Sequence, residues 1–130
     1  MTIFSKIIAG EIPSYRIAED EQFFAFLDIY PLVEGHVLVI PKIEVDKFFD
    51  VPDEYLGRML LFAKPIAKAM EKAFPCNRVG LSVVGLEVPH AHLHLVPING
   101  MDDLNFTRGK LKLTAEQLKT AQEKILANLK

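Results

Sequence analysis

His90-Ala91-His92-Leu93-His94-Leu95-Val96 alternates imidazoles with aliphatic side chains. A β-strand points successive side chains to opposite faces. The pattern therefore predicts a strand with His90, His92 and His94 on one face and Ala91, Leu93 and Leu95 on the other. The aliphatic face can be buried. The chain must then build a sheet with one face packed on a core. The other face carries three groups that ordinarily titrate near neutrality and can act as nucleophile, proton carrier or metal ligand.

The rest of the chain supplies the elements such a sheet needs. Thr2 is placed to cap a short helix in which Phe4, Ile7 and Ile8 share a face, ended by Gly10. Tyr15 to Ala18 and Phe23 to Asp28 read as an antiparallel strand pair. His36 to Ile40 is a continuous apolar run suited to a strand buried on both faces, stopped by Pro41. From Asp53, Tyr55, Met59, Phe62, Ile66, Met70 and Phe74 recur at helical spacing, with Pro65 expected to kink or split that helix. Arg78 to Val84 reads as a fourth strand and Val88 to Val96 as a fifth. Gly100 to Gly109 reads as a polar loop. Thr114 with Gln117 forms a capping-box signature for a last helix with Leu118, Ala121, Ile125 and Leu129 inward. The expected fold is α+β: a five-stranded, mostly antiparallel sheet with a central helix and an additional C-terminal helix.

At 130 residues the chain is long enough for one domain with a real core, 1–130, in which 101–130 is a C-terminal extension packed on the rest. Half the residues are hydrophobic and a quarter charged, which argues against disorder. A net charge of −2 without a basic run gives no reason to expect nucleic-acid binding, yet leaves room for one bound phosphate. The single cysteine, Cys76, allows no intramolecular disulfide, and no window reaches membrane-span length. These features fit a cytoplasmic protein with no membrane partner.

Three alternating histidines admit two chemical readings. On a straight strand the Cα atoms of His90 and His94 stand about 13 Å apart, and all three rings reach one metal ion only awkwardly. Two could do so with ligands from elsewhere, such as His36, Asp28 or Glu87. Phosphorus chemistry suits the spacing better, because neighbouring imidazoles about 6.6 Å apart at Cα can surround a tetrahedral phosphate. A central imidazole can attack through one nitrogen if a fixed acceptor holds the other protonated. Its neighbours can neutralise phosphoryl charge or carry a proton.

The triad segment resembles the signature of the histidine-triad (HIT) superfamily. Ile3 to Pro13 is similar to the family's opening helix. Phe26-Leu27-Asp28-Ile29-Tyr30-Pro31 with Gly35 to Lys42 resembles its nucleoside-binding strand pair. The likeness spans about Ile3 to Ile98 and is nearest to the small nucleotide-binding (HINT-like) hydrolases. It implies cleavage at the α-phosphate of a purine nucleotide conjugate such as an adenosine phosphoramidate, without a cofactor, in a homodimer.

The likeness also implies roles for particular residues. His92 matches the nucleophile, His90 and His94 the flanking members, and His36 the additional upstream histidine. Asp28 matches the ribose-binding carboxylate, with a turn residue as its plain alternative. Phe4, Ile7, Ile12, Phe26, Ile29 and Val88 match the walls around the base, and plain core packing is the alternative there. Gly85-Leu86-Glu87 stands where relatives commonly carry Gly-Gln-Ser or Gly-Gln-Thr, which removes a side-chain donor. This leaves open a nucleotide-binding or scaffold protein with weak turnover, beside a metal-dependent hydrolase using triad histidines. Some relatives hold zinc with cysteines near the amino terminus; with Phe4 and Ile7 in that region, no such zinc is expected here.

Overall fold

Strand pairing follows the apolar pattern. The computed structural model describes residues 1–129, and in it β1 (Arg16–Glu19), β2 (Phe23–Leu27), β3 (Val37–Pro41), β4 (Arg78–Ser82) and β5 (Leu93–Ile98) form one sheet. The order is β1-β2-β3-β5-β4, and every neighbouring pair is antiparallel. β2 and β3 are buried throughout, so both faces of the sheet centre are covered.

One face carries Phe23, Ala25, Leu27, Val37, Val39, Leu93 and Leu95. It packs under α2 (Asp53–Ala73) and α3 (Ala115–Ala127), which contribute Met59, Ile66, Met70, Leu118 and Ile125 to the main core. The opposite face carries a smaller cluster of Phe24, Phe26, Leu38 and Ile40, closed by Phe4 of α1 (Ile3–Ile8). Phe26 pairs with Leu38, Leu38 with His94, and His94 with Ser82, so His94 continues this second face across four strands.

Both predicted caps are present. The Thr2 hydroxyl accepts from the Ser5 amide, and Thr114 and Gln117 bond reciprocally. Gly10 leaves α1 at φ +81°, and Gly35 sits at φ +91° against the Phe74 ring, where an added Cβ would stand 2.5 Å from a ring carbon. That close approach lets the β2–β3 connection turn tightly into His36.

Three expectations need correction. Pro65 does not split α2, which runs unbroken from Asp53 to Ala73. Pro65 and Leu61, whose carbonyl loses its partner, are both exposed, so water can serve that carbonyl. The fifth strand begins at Leu93 rather than Val88, leaving His90 and His92 in irregular chain. Pro89 has no N–H to offer a ladder, and the Ala91 amide bonds the Val45 carbonyl beyond the end of β3. The segment from Gly100 to Gly109 is not a plain loop. It contains a 3₁₀ turn at Met101–Leu104, whose Leu104 packs close to Gly80 of β4, and it runs on to side chains that reach the histidines.

Candidate active site

All four histidines are buried, between 1 % and 8 % exposed, and each has a fixed partner. His36 Nδ1 accepts the Leu32 amide at 3.1 Å. An imidazole nitrogen that accepts carries no proton, so in the neutral ring the proton is on Nε2 and is donated to His94 Nδ1 at 2.9 Å. His94 must then hold its own proton on Nε2. His92 Nδ1 lies 2.7 Å from the His90 carbonyl, which can only accept, so this ring is protonated at Nδ1 and its Nε2 lone pair is free. His90 donates from Nε2 to the Pro41 carbonyl at 2.9 Å and accepts the Thr2 hydroxyl at Nδ1, also at 2.9 Å.

Electrostatics agree with these assignments. Burial, reinforced by the neighbouring His94 ring, pushes His36 down to about 3. Burial and the adjacent His92 bring His94 to about 4. His92 is likewise lowered, chiefly by burial. These three rings are neutral at pH 7, as a nucleophile and two neutral donors require. Burial raises the Asp28 carboxyl, partly offset by the Tyr30 amide that it accepts at 2.9 Å.

His92 and His94 line a cavity of about 310 Å³ together with Val84, Leu86, Glu87 and Phe106. Neither Nε2 has a protein partner. No buried side-chain nitrogen or oxygen among the described residues is left unsatisfied, so neither Nε2 is sealed from solvent. A ring with a bare lone pair and a ring with a free N–H thus line one cavity, their centroids 5.0 Å apart. That pair can attack a phosphorus atom and donate to one of its oxygens.

Phe4 sets its edge against His92 at 5.1 Å, His90 at 5.8 Å and Phe26 at 5.4 Å between centroids. Ile7 and Val88 pack on the same cluster. Ile12 is half-buried and lies outside that cluster. Ile29, 49 % exposed, lines a separate surface cavity with Tyr30 and Tyr15. Asp28 closes the β2–β3 loop, its amide bonding the His36 carbonyl, with Oδ2 3.9 Å from His36 Nε2. Leu86 is 88 % exposed at the cavity wall, and Glu87 pairs with Lys110 at 3.0 Å.

Sequence reasoning missed the groups that fix the rings, namely the Pro41 and His90 carbonyls, the Leu32 amide and the Thr2 hydroxyl. It also missed Phe106, whose ring stands 4.7 Å from that of His94. Only Thr2 carried a signal, as a helix cap, and nothing local tied it to a residue 88 positions away.

Asp28, His36 and His94 bring three donor atoms within 4.8 Å of one another. The polarity is wrong for a metal. A ligating imidazole donates its other N–H outward, whereas His36 Nδ1 receives one from Leu32, so the nitrogen facing the group is the protonated one. The donor set as arranged does not fit an ion.

A family model described as the HIT domain matches residues 9–101. The chain is 37 % identical to an uncharacterized HIT-like protein of Borreliella burgdorferi, over 98 % of this chain and 97 % of that one. It is 44 % identical to adenosine 5′-monophosphoramidase HNT1 of Saccharomyces cerevisiae, over 73 % of this chain and 61 % of the relative. A HIT-like protein involved in cell-cycle regulation from Bartonella henselae superposes with a TM-score of 0.85 at 32 % identity, covering 98 % of this chain and 95 % of that one. A zinc-bound histidine triad family protein from Mycobacterium smegmatis gives 0.82 at 31 % identity, with 98 % and 91 % covered. With its triad, its sheet order and a match across most of its length, this chain belongs to the HIT family.

Proposed function

We propose that the protein hydrolyses a purine nucleotide conjugate at its α-phosphate, an adenosine phosphoramidate being the model substrate. The observation that carries this reading is the free Nε2 of His92, held in its nucleophilic tautomer by the His90 carbonyl beside the Nε2–H of His94. His92 Nε2 bonds to phosphorus as the phosphorus–nitrogen bond breaks, and the departing amine takes a proton from solvent, which the later attack of water returns. Water then releases the nucleoside monophosphate and restores the ring, dividing one hard displacement into two easier ones. His94 donates to the phosphoryl oxygens as charge develops on them. The base lies against the cluster of Phe4, Ile7, Phe26 and Val88, which Ile12 and Ile29 do not join, and the ribose hydroxyls donate to Asp28. His90 and His36 position the two working rings. The 44 % identity to a monophosphoramidase supports this substrate class.

His92→Asn should lower turnover roughly 10³-fold or more while leaving binding of adenosine monophosphate largely intact. Wild type quenched from substrate in a non-acidic denaturant should gain the mass of one nucleotidyl group. Normal turnover by His92→Asn would overturn the covalent mechanism. A second reading, a binder with weak turnover, draws on the exposed apolar Leu86 at the cavity wall. Tight binding of the monophosphate without measurable hydrolysis would favour it.

The protein is also read as a homodimer. β4 is an edge strand, and Leu81 on it, Val83 and Val84 just after it, and Leu60 and Leu61 on α2 are exposed apolar groups that a second copy would cover. Light scattering at micromolar concentration should give twice the 14.7 kDa chain mass, and a monomer mass would overturn the pairing. Catalysis in a cytoplasmic setting, without cofactor, nucleic acid or membrane, completes the reading. No helix among the described residues is long and apolar enough to cross a membrane.

A further inference from the structure

The tautomer that leaves His94 with an outward N–H depends on His36, and His36 depends on one backbone amide, that of Leu32. Both peptides that meet at Leu32 are gripped from beyond the family match. Arg108 donates from Nη2 to the Leu32 carbonyl at 2.6 Å, and the Leu111 amide bonds the Pro31 carbonyl at 2.8 Å. The other arm of the guanidinium is held by Asp102 at 2.9 Å and Asp103 at 3.5 Å, at the 3₁₀ turn that docks on β4. Leu32 itself is 1 % exposed, so the gripped peptide sits in a dry, low-dielectric setting.

A backbone amide fixes the tautomer of an imidazole only while its N–H stays in line with the ring nitrogen it meets. Two peptides meet at Leu32: the one whose N–H reaches His36 Nδ1 has its Pro31 carbonyl held by the Leu111 amide, and the next is held at the Leu32 carbonyl by Arg108; His36 Nε2 in turn meets His94 Nδ1. We propose that Arg108 is a positioning residue for the reaction, fixing the tautomers of His36 and His94 by holding the Leu32 backbone where its amide meets His36 Nδ1. His94 can then stay neutral, as burial demands, and still serve charge developing on phosphorus. His90 and His92 are fixed independently, by Thr2, the Pro41 carbonyl and the His90 carbonyl, so the influence of Arg108 is confined to half of the site.

This inference rests on the hydrolase reading for its kinetic consequence, but not for its structural one. The test is Arg108→Gln in the full chain, read by imidazole ¹⁵N magnetic resonance and by steady-state kinetics on adenosine phosphoramidate. The ¹⁵N signals of His36 and His94 should move from one tautomer to a mixture, while those of His90 and His92 stay in place. The kcat should fall about tenfold with KM changed less than twofold, the pattern of an interaction made only in the transition state. Arg108→Lys, which retains the charge, should recover part of the loss. Should Arg108→Gln fail to fold, Asp102→Asn loosens the guanidinium from the surface and should shift the same two histidines by less. Unchanged signals at all four rings, or equal disturbance of all four, would overturn the proposal. If wild type does not hydrolyse the substrate, the hydrolase reading falls, and the ¹⁵N signals still decide the role of Arg108.

Discussion

The two faces of the sheet are built from neighbouring positions on the same strands, yet they are held by different physics. Leu93 and Leu95 meet α2 and α3 in a core where any well-fitting apolar side chain serves, because burial is non-directional. His94, between them, meets the opposite face, where one hydrogen bond decides which nitrogen carries the proton. The first face tolerates change of identity and resists loss of volume. The second tolerates neither, because each buried ring nitrogen needs a partner of the right polarity. Stability is concentrated on one side of β5 and chemistry on the other.

The largest effect that separates the faces is expected in the helix-side core. Met70 is fully buried there, and Met70→Ala should cost about 2–5 kcal/mol in denaturant unfolding while the folded fraction keeps its kcat. A loss of kcat without loss of stability would show that the two faces are coupled. A smaller effect is expected from acid. His36 and His94 fall to about 3 and about 4 in the folded protein from an ordinary 6.5. Below 6.5 the unfolded chain therefore binds protons that the folded rings refuse. Their contribution is fully present above about 6.5 and is lost as pH falls towards 4 and then 3. Asp28, raised by burial, takes up a proton more readily when folded and offsets part of this loss. Thermal melts across pH 7 to 4 should fall in wild type and fall less in a His36→Gln variant. Parallel melts would mean that the histidine face carries no such linkage.

Much of the fold was legible because its signals are local. Alternation marked the faces of the sheet, Thr2 and Thr114 marked helix starts, and apolar spacing marked the buried stripes of α2 and α3. The start of β5 was misread because alternation continues through His90 and His92, although Pro89 and the Val45 carbonyl draw that segment off the ladder. The α2 helix runs through Pro65 on its exposed side, where water can serve the freed carbonyl, and a spacing pattern does not reveal this. At the site, the residue types were visible and their partners were not. Three of the groups that set the tautomers are backbone atoms, which every residue possesses and no sequence distinguishes.

The sequence by itself determined which groups are available: four imidazoles, the carboxylate of Asp28, an aromatic wall led by Phe4, and apolar stripes able to bury a sheet. Those are properties of side chains and of their spacing, and they survive in any register that keeps the faces apart. Only the tertiary structure decided what each imidazole does. A neutral ring becomes a nucleophile or a donor according to which of its nitrogens meets a carbonyl, an amide or a hydroxyl. His92 meets the carbonyl of His90, and His36 meets the amide of Leu32. Other meetings at the site join residues distant in sequence, such as Thr2 with His90 and Arg108 with Leu32, through contacts a few ångströms long that exist only once the chain has folded.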